Sequence, residues 1–309
     1  MSSLKLFSGT SSRPLAEKIA ASYGMPLGAV TLKRFSDGEI SVNYDESIRG
    51  QDVFIIQSTI PPADNILEML LMVDAARRAS AAYVTIIVPY FGYARQDRKD
   101  RPRVPIAAKL LANLFQASGA DRLMTCDLHA GQIQGFFDFP VDHLDGAAIF
   151  VPYLRSLNLE NLVFASPDVG GVARTRSFSQ YLKADLVVCD KHRKKANEIA
   201  SMQLIGDVEG ANVVLVDDLI DTGGTITKAA QMIMDKGAKS VRAIATHPVL
   251  SGNAYENIEN SVLDELVVTD TIPLAHASSK IRVLTVADLF ANAIKNLQAN
   301  ESISSLFIV

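Results

Sequence analysis

Residues 213–227 read Val-Val-Leu-Val-Asp-Asp-Leu-Ile-Asp-Thr-Gly-Gly-Thr-Ile-Thr, and this stretch limits the fold more than any other in the chain. Val213–Val216 is a short, wholly apolar, mostly β-branched run, which suits a strand covered on both faces. Asp217 and Asp218 stand at its carboxyl end, and Asp221, Thr222, Gly223, Gly224 and Thr225 follow. The spacing then becomes helical, with Ile226, Ala229, Ala230 and Ile233 on one face. Open α/β sheets bind ligands beyond the carboxyl ends of their strands. A helix N-terminus preceded by two glycines suits an anion, because backbone N–H groups and the helix dipole point at it. Hydroxyls of Thr222, Thr225 and Thr227 can add hydrogen bonds. The acid pair repels phosphate but suits sugar hydroxyls or a metal-bound ligand. Together the two ends describe a sugar-phosphate site. The Asp-Thr-Gly-Gly tetrapeptide alone is ordinary turn chemistry; the specificity lies in the whole pattern.

That pattern resembles the phosphoribosyl-diphosphate signature of the type I phosphoribosyltransferase fold. The fold includes both phosphoribosyltransferases and ribose-phosphate diphosphokinases, and this stretch leaves the choice open.

At 309 residues the chain has room for two domains. A hydrophobic share of 48% with 21% charged residues excludes disorder, and a net charge of −4 gives no nucleic-acid footprint. Cys126 and Cys189 end apolar runs and read as small buried residues of a reduced, cytosolic protein. The N-terminus has no continuous apolar segment, and no run approaches the roughly 18 apolar residues of a membrane span. The expectation is a soluble, unprocessed, cytoplasmic protein with no membrane or nucleic-acid partner.

Arg34–Ile40 reads as a hairpin turn with Gly38 at the tight position. Asp52–Ser58 predicts a strand, Asn65–Ala79 a helix and Tyr83–Val88 a strand. The order repeats at Asn212–Leu219, the helix from Gly223, and Ser240–Thr246, and each repeat ends in a proline, Pro89 or Pro248. This is an internal duplication. Gln57 and Ser58 occupy the places of Asp217 and Asp218, so the first copy lacks the acid pair and does not bind the same sugar. The crossover is placed within 140–160, with Pro140 and Pro152 flanking a helix. The chain thus divides into domains 1–145 and 146–309, each a mainly parallel sheet flanked by helices.

After Pro89, five basic residues (Arg95, Arg98, Lys99, Arg101 and Arg103) crowd into nine positions behind Phe91 and Tyr93. Aromatic rings can sandwich a base while guanidinium groups bind phosphate oxygens in pairs, which suits a nucleoside polyphosphate. A long polar run of this kind also suits a loop that closes over a site. Val104–Ala117 predicts a helix and Arg122–Cys126 a strand. At that strand's end Asp127 and His129, two residues apart, can face one ligand, and Mg²⁺ carried by phosphates needs few protein ligands. Ser166-Pro-Asp-Val-Gly-Gly171 ends another strand, and Asp190-Lys-His-Arg-Lys-Lys195 follows the next. There Lys191 and Arg193 can stabilise a transferring phosphoryl group. The apolar end, Leu306-Phe-Ile-Val309, has to pack against something.

With these pieces assembled, the sequence closely resembles the ribose-phosphate diphosphokinases. The resemblance rests on Arg34–Ile40, Glu46–Arg49, Tyr93–Lys99, Asp127–His129, Gln132–Phe137, Ser166–Gly171, Lys191–Lys195 and Val213–Thr225. It implies transfer of the β,γ-diphosphoryl group of MgATP to the 1-hydroxyl of ribose 5-phosphate, with release of AMP. The product supplies nucleotide, histidine and tryptophan synthesis. By the same resemblance, Asp217, Asp218, Asp221, Thr222, Gly223, Gly224 and Thr225 hold ribose 5-phosphate with Asp168 nearby. Arg95, Gln96, Asp97, Lys99 and His129 hold ATP, and Phe35, Asp37 and Glu39 meet the adenine from a neighbouring subunit. Asp127, His129 and Asp168 stand on the Mg²⁺ side, with Asp138 and Asp142 as weaker candidates, and Lys191 and Arg193 are catalytic. Ser47, Arg49, Gln134, His143 and Ser302 resemble an interface site for inhibitory ADP and activating phosphate, in a homo-oligomer of dimers that builds a hexamer.

Asp100, Pro102 and Gly223 depart from the commonest bacterial pattern; Gly223 keeps the phosphate geometry feasible, and Pro102 is expected to stiffen the loop. A plain phosphoribosyltransferase has no need of 91–103 or 191–195. A non-catalytic regulatory homologue would have lost some of Arg95, Asp97, His129, Lys191 and Arg193, all of which are present. Neither a Gly-x-Gly-x-x-Gly nor a Gly-x-x-x-x-Gly-Lys-Ser/Thr motif occurs, which disfavours nicotinamide and Walker-type nucleotide sites.

Overall fold

The computed structural model describes residues 3–192 and 201–308, with Lys191, His192 and Ser201 described by backbone alone. The chain forms two compact units. One holds the residues up to Asp145 together with Thr271–Pro273 and Ala287–Leu306; the other holds Gly146–Asp270, Leu274–Val286 and the residues from Phe307.

In the first unit the order is β1 (Leu4–Ser8), α1 (Arg13–Tyr23), β2 (Val30–Arg34), β3 (Ile40–Tyr44), β4 (Asp52–Ile56) and α2 (Asp64–Arg78). There follow β5 (Tyr83–Val88), α3 (Ala107–Ser118), β6 (Arg122–Cys126) and β7 (Val141–Leu144). The second unit runs α4 (Ala147–Ser156), β8 (Leu162–Ser166), α5 (Val172–Leu182), β9 (Asp185–His192), β10 (Ser201–Ile205) and β11 (Asn212–Ile220). It continues with α6 (Gly224–Asp235), β12 (Ser240–Pro248), α7 (Ala254–Glu259), β13 (Glu265–Thr269) and β14 (Ile281–Leu284). The last helix, α8 (Ala287–Ala299), packs on α1 in the first unit.

The two sheets show the duplication directly. The first has the order β1-β4-β5-β6-β7, and the second has β8-β11-β12-β13-β14 in the same sense, with β9 and β10 added beside β8. Among the described residues every pairing is parallel except β9 with β10 and the separate β2–β3 hairpin. Asp52 pairs with Tyr83 in one sheet and Asn212 with Ser240 in the other, so Gln57 and Asp217 are equivalent positions. Crossover helices cover both sheet faces, which is why Val53–Ile56 and Val213–Val216 are apolar throughout and at most 1% exposed. Helix α6 buries Ile226, Ala229, Ala230 and Ile233, the face its spacing predicts. The first core gathers Phe91, Phe115 and Phe137; the second has one cluster around Val213 and Leu215 and another around Phe150, Phe164 and Phe178. Ile308, from the apolar tail, packs against that last cluster.

Several expectations change. Helix α3 begins at Ala107 instead of Val104, because Val104 precedes Pro105 and is held out of the helical region. Pro152 lies inside α4 instead of flanking it; Phe150, Val151 and Leu154 bury that helix strongly enough to carry the missing backbone bond. The short strands β7 and β10 did not register as apolar runs. Both cysteines are free and buried, and burial pushes the Cys189 thiol up to about 12.

Candidate functional site

In the second unit, strand β11 outlasts its neighbour. Its pairing with β8 ends at Leu215, whereas its pairing with β12 continues to Ile220. The acid pair therefore stands beyond the last β8 partner, at the carboxyl end of the sheet. Successive strand residues point to opposite faces, and the two carboxylates have different surroundings. Asp218 is 4% exposed, and its Oδ1 lies 3.1 Å from the Arg174 guanidinium. Asp217 is partly exposed, and its Oδ1 accepts the Asp218 backbone N–H at 2.9 Å. Desolvation, followed by the charge and hydrogen bond of Asp218, pushes the Asp217 carboxyl well above the usual carboxylate range; Arg174 opposes this.

The loop that follows is built to keep its shape. Gly223 has φ +74°, and a Cβ there would lie 3.4 Å from the Ala254 carbonyl. Glycine takes this left-handed conformation without the steric cost other residues meet. Asn257 donates to the Thr222 carbonyl at 2.8 Å, Ser251 N–H donates to the Asp221 carbonyl at 3.0 Å, and the Ser251 hydroxyl donates to the Asp221 carboxylate. The first turn of α6 begins at Gly224, so its leading N–H groups lack intrahelical acceptors. Thr227 does not serve the loop as expected, because its hydroxyl donates to the Gly223 carbonyl at 2.9 Å. Thr222 is exposed and Thr225 is half-buried.

Beside this, at the end of β8, the Ser166 hydroxyl donates to the Asp168 carbonyl at 2.6 Å and Asp168 Oδ1 accepts the Gly171 N–H at 2.9 Å. Asp168 is thus fixed at the start of α5 with its side chain still exposed. The backbone of Lys191 lies in β9 opposite Met202. The Lys191 side chain and the whole of Arg193 lie outside the described residues.

The first unit carries the other group of predicted residues. The run 91–103 has no regular structure, with left-handed Tyr93 and Arg103. Its root is held tightly: Gly92 N–H donates to the Thr59 hydroxyl at 2.7 Å, and a Cβ on Gly92 would come within 2.0 Å of the Thr59 carbonyl. Arg95, Gln96 and Lys99 are exposed, while Asp97 accepts from the Gln132 amide at 3.3 Å. Phe91 is not available to a base: it is 2% exposed and packs edge-on to Phe115 and Phe137. Tyr93, 39% exposed, is the aromatic that remains. At the end of β6, Asp127 is left-handed with φ +43°, an uncommon state for a non-glycine residue. Leu128 N–H donates to His143 Nε2 at 2.9 Å, and Gln134 meets His143 Nδ1 at 3.3 Å. His143 and Gln134 thereby support the Asp127–His129 turn, in which His129 is exposed. Asp142 is held by Arg122, both its oxygens at 2.9 Å, which removes it as a metal candidate; Asp138 stays exposed.

The β2–β3 hairpin closes as its sequence predicts, with Phe35 N–H donating to the Glu39 carbonyl at 2.9 Å and Gly38 at φ +97°. Phe35 is 59% exposed at its tip beside exposed Asp37 and Glu39. Arg49 donates to the Ser80 hydroxyl at 3.1 Å, Ser47 is exposed, and the Ser302 and Ser304 hydroxyls are 2.7 Å apart. Among the described residues no three His, Cys, Asp or Glu side chains gather as a metal site, and no helix is long and apolar enough to cross a membrane.

Two family models match the chain: the N-terminal domain of ribose phosphate pyrophosphokinase over residues 4–119, and the phosphoribosyl synthetase-associated domain over residues 179–308. The chain is 57% identical to the ribose-phosphate pyrophosphokinase of Campylobacter jejuni over all of both chains. It is 56% identical to that of Porphyromonas gingivalis, over 98% of this chain and 97% of the relative. The chain belongs to the ribose-phosphate pyrophosphokinase family. The crystal structure of phosphoribosylpyrophosphate synthetase from Mycobacterium smegmatis superposes with a TM-score of 0.92 at 39% identity, over 96% of this chain and 99% of that one. The chain is therefore an α/β protein of two tandem type I phosphoribosyltransferase-like domains.

Arg174 is not legible in the sequence, since one arginine on an amphipathic helix carries no local signal. The duplication could have found it. Helices α1 and α5 align by their buried pairs, Ala16 and Ile19 with Thr175 and Phe178, and Arg174 then falls opposite Leu15.

Proposed function

We infer that the chain is a ribose-phosphate diphosphokinase, a transferase that moves the β,γ-diphosphoryl group of ATP to the 1-hydroxyl of ribose 5-phosphate. The products are 5-phosphoribosyl 1-diphosphate, which feeds nucleotide synthesis, and AMP. The observation that carries this reading is full-length identity above half to curated relatives of that name. The end of β11 supports it, because a shaped acid pair and a left-handed glycine at a helix start suit a pentose at one end and its phosphate at the other.

In this reading the loop Asp221–Thr225 holds the 5-phosphate through first-turn N–H groups and the Thr222 and Thr225 hydroxyls. The acid pair serves the ring hydroxyls, with Asp217 meeting them and the buried Asp218 behind it. Arg95, Gln96, Asp97, Lys99 and His129 bind the nucleotide, and the exposed tip Phe35, Asp37 and Glu39 serves the adenine of a neighbouring subunit. The anomeric oxygen forms a bond to the β-phosphorus and its proton passes to solvent. The bond from that phosphorus to the oxygen bridging to the α-phosphate breaks, and AMP leaves with the electron pair. Lys191 and Arg193 neutralise the group in transfer.

Several phosphate charges converge, at a cost of about 1 kcal/mol per contacting pair even in water and more where solvent is excluded. The donor set fits Mg²⁺. In the first unit Asp127, with His129 two residues on, offers a carboxylate oxygen at the end of β6, and in the second unit exposed Asp168 offers another at the end of β8. An ion that takes most ligands from phosphate and water needs only one or two such groups. Mg²⁺ held there would offset the phosphate charge during the transfer. The exposed Ser47, Arg49 and Ser302, with Gln134 and His143, support a regulatory site for ADP and phosphate between subunits of a homo-oligomer, with the hexamer as its assembly. The halves 1–145 and 146–309 are the two catalytic domains, in a cytoplasmic enzyme.

The test is direct. With ATP, Mg²⁺ and ribose 5-phosphate, the protein is expected to form AMP in step with loss of the pentose ester. ADP in place of AMP would mean single phosphoryl transfer, and consumption of 5-phosphoribosyl 1-diphosphate with a base would mean a phosphoribosyltransferase.

A further inference from the structure

We propose that Arg174 is a positioning residue for the sugar-phosphate site: its guanidinium holds the Asp218 carboxylate so that Asp217 is left to meet the pentose. The proposal rests on the diphosphokinase reading and deepens it.

Two independent observations point the same way. First, the ion pair is built and largely shielded, at 3.1 Å with side chains 23% and 5% exposed. A carboxylate that deep in protein needs a cation or a proton, because desolvation penalises the bare charge. Arginine meets the need, since its fork stays charged and aims several donors at once. Its helix also starts at the turn fixed by Asp168, so Arg174 ties the loop after β8 to the strand that carries the acid pair. Second, the duplication supplies an internal control. In the first unit the acid positions are Gln57 and Ser58, and the position of Arg174 is Leu15, buried at 4%. The cation is present in the repeat that has the acid pair and absent from the repeat that lacks it, although both repeats keep the same sheet order. An arginine needed only to seat its helix would have no reason to follow the acids.

The experiment measures steady-state kinetics for both substrates, after wild-type AMP formation has been established. Without that activity the diphosphokinase reading fails, independently of Arg174. Arg174→Ala is expected to raise KM for ribose 5-phosphate by about 10- to 100-fold while KM for ATP moves less than about twofold. Arg174→Lys should recover part of the loss. In an Asp218→Asn background the effect of Arg174→Ala should shrink to about threefold or less, because the carboxylate that Arg174 holds is gone. Should Arg174→Ala fail to fold, the pair Arg174→Leu with Asp218→Ser copies the first unit, leaves no unpaired charge, and should fold with the same rise in ribose 5-phosphate KM. A folded variant with unchanged KM for ribose 5-phosphate overturns the proposal. So does an equal rise for both substrates, or an undiminished effect in the Asp218→Asn background.

Discussion

The ends of β4 and β11 are equivalent places in one duplicated frame, and their chemistry has diverged. At β11 the strand ends in charge: Asp217, Asp218 and Arg174, followed by an open loop with a left-handed glycine. At β4 it ends in a closed, hydrogen-bonded plug. Gln57, Ser58 and Thr59 are fully buried. Glu68, 5% exposed, accepts from Thr10 N–H at 2.7 Å, from the Thr10 hydroxyl at 3.0 Å and from the Gln57 amide at 2.7 Å. Ser11 donates to the Gln57 carbonyl oxygen at 2.8 Å, and a Cβ on Gly9 would meet that oxygen at 2.3 Å. The first unit's own carboxylate thus takes the donors at the end of its sheet. A conserved sheet order brings strand ends together, and a few polar substitutions decide whether that meeting point is a site or a core.

Substitutions that break this contrast should have graded effects. The largest is expected at Lys191, the cation of the second unit proposed to meet the group in transfer. Lys191→Ala should lower turnover by about 10²-fold or more with little change in KM for ribose 5-phosphate, measured as AMP formation at saturating substrates. Unchanged turnover would take Lys191 out of the transition state. Gly223→Ala comes next: a side chain at φ +74° costs about 1–2 kcal/mol. It should weaken ribose 5-phosphate binding by about tenfold in calorimetry while leaving ATP binding in place.

Glu68→Ala tests the plug. Removing the acceptor leaves buried donors unpaired, at about 1–3 kcal/mol, so chemical denaturation should show a loss of that size. Sulfate should restore more stability to the variant than it adds to the wild type, because it can occupy the vacated donors; equal salt effects in both would refute self-occupancy. The smallest effect is at Asp217. Its folded pKa is raised, so its contribution to stability is fully present below the ordinary carboxylate value and is lost as pH rises through the folded value. Asp217→Asn should therefore raise the unfolding temperature by about 2–4 °C near neutral pH and leave it nearly unchanged at about pH 4, while weakening ribose 5-phosphate binding. A variant stabilised equally at both pH values would remove the ionisation argument.

Much of the frame was legible because it rests on local chemistry. The apolar runs at 53–56 and 213–216, the helical spacing from Ile226 and the glycine turn at Gly38 each specify an element within a few residues. Single side chains whose partners are remote in sequence were not legible. Phe91 looked like a base-stacking aromatic until Phe115 and Phe137 were found around it. Asp142 looked like a metal candidate until Arg122 claimed it. His143 and Gln134, read only as regulatory residues, brace the turn at Asp127.

By itself, the sequence determined the duplicated α/β frame, the polar residues at its strand ends, and the acid-and-glycine loop whose chemistry suits a pentose phosphate. Periodicity, β-branching and turn residues act over short distances, so they can be read in order along the chain. Only the tertiary structure decided which polar residues are available to a ligand. It paired Asp218 with Arg174 and Glu68 with Thr10 across tens of residues. The physical reason is that the state of a buried charge is set by what folding brings within about 3–4 Å of it, and neighbours in sequence say little about that.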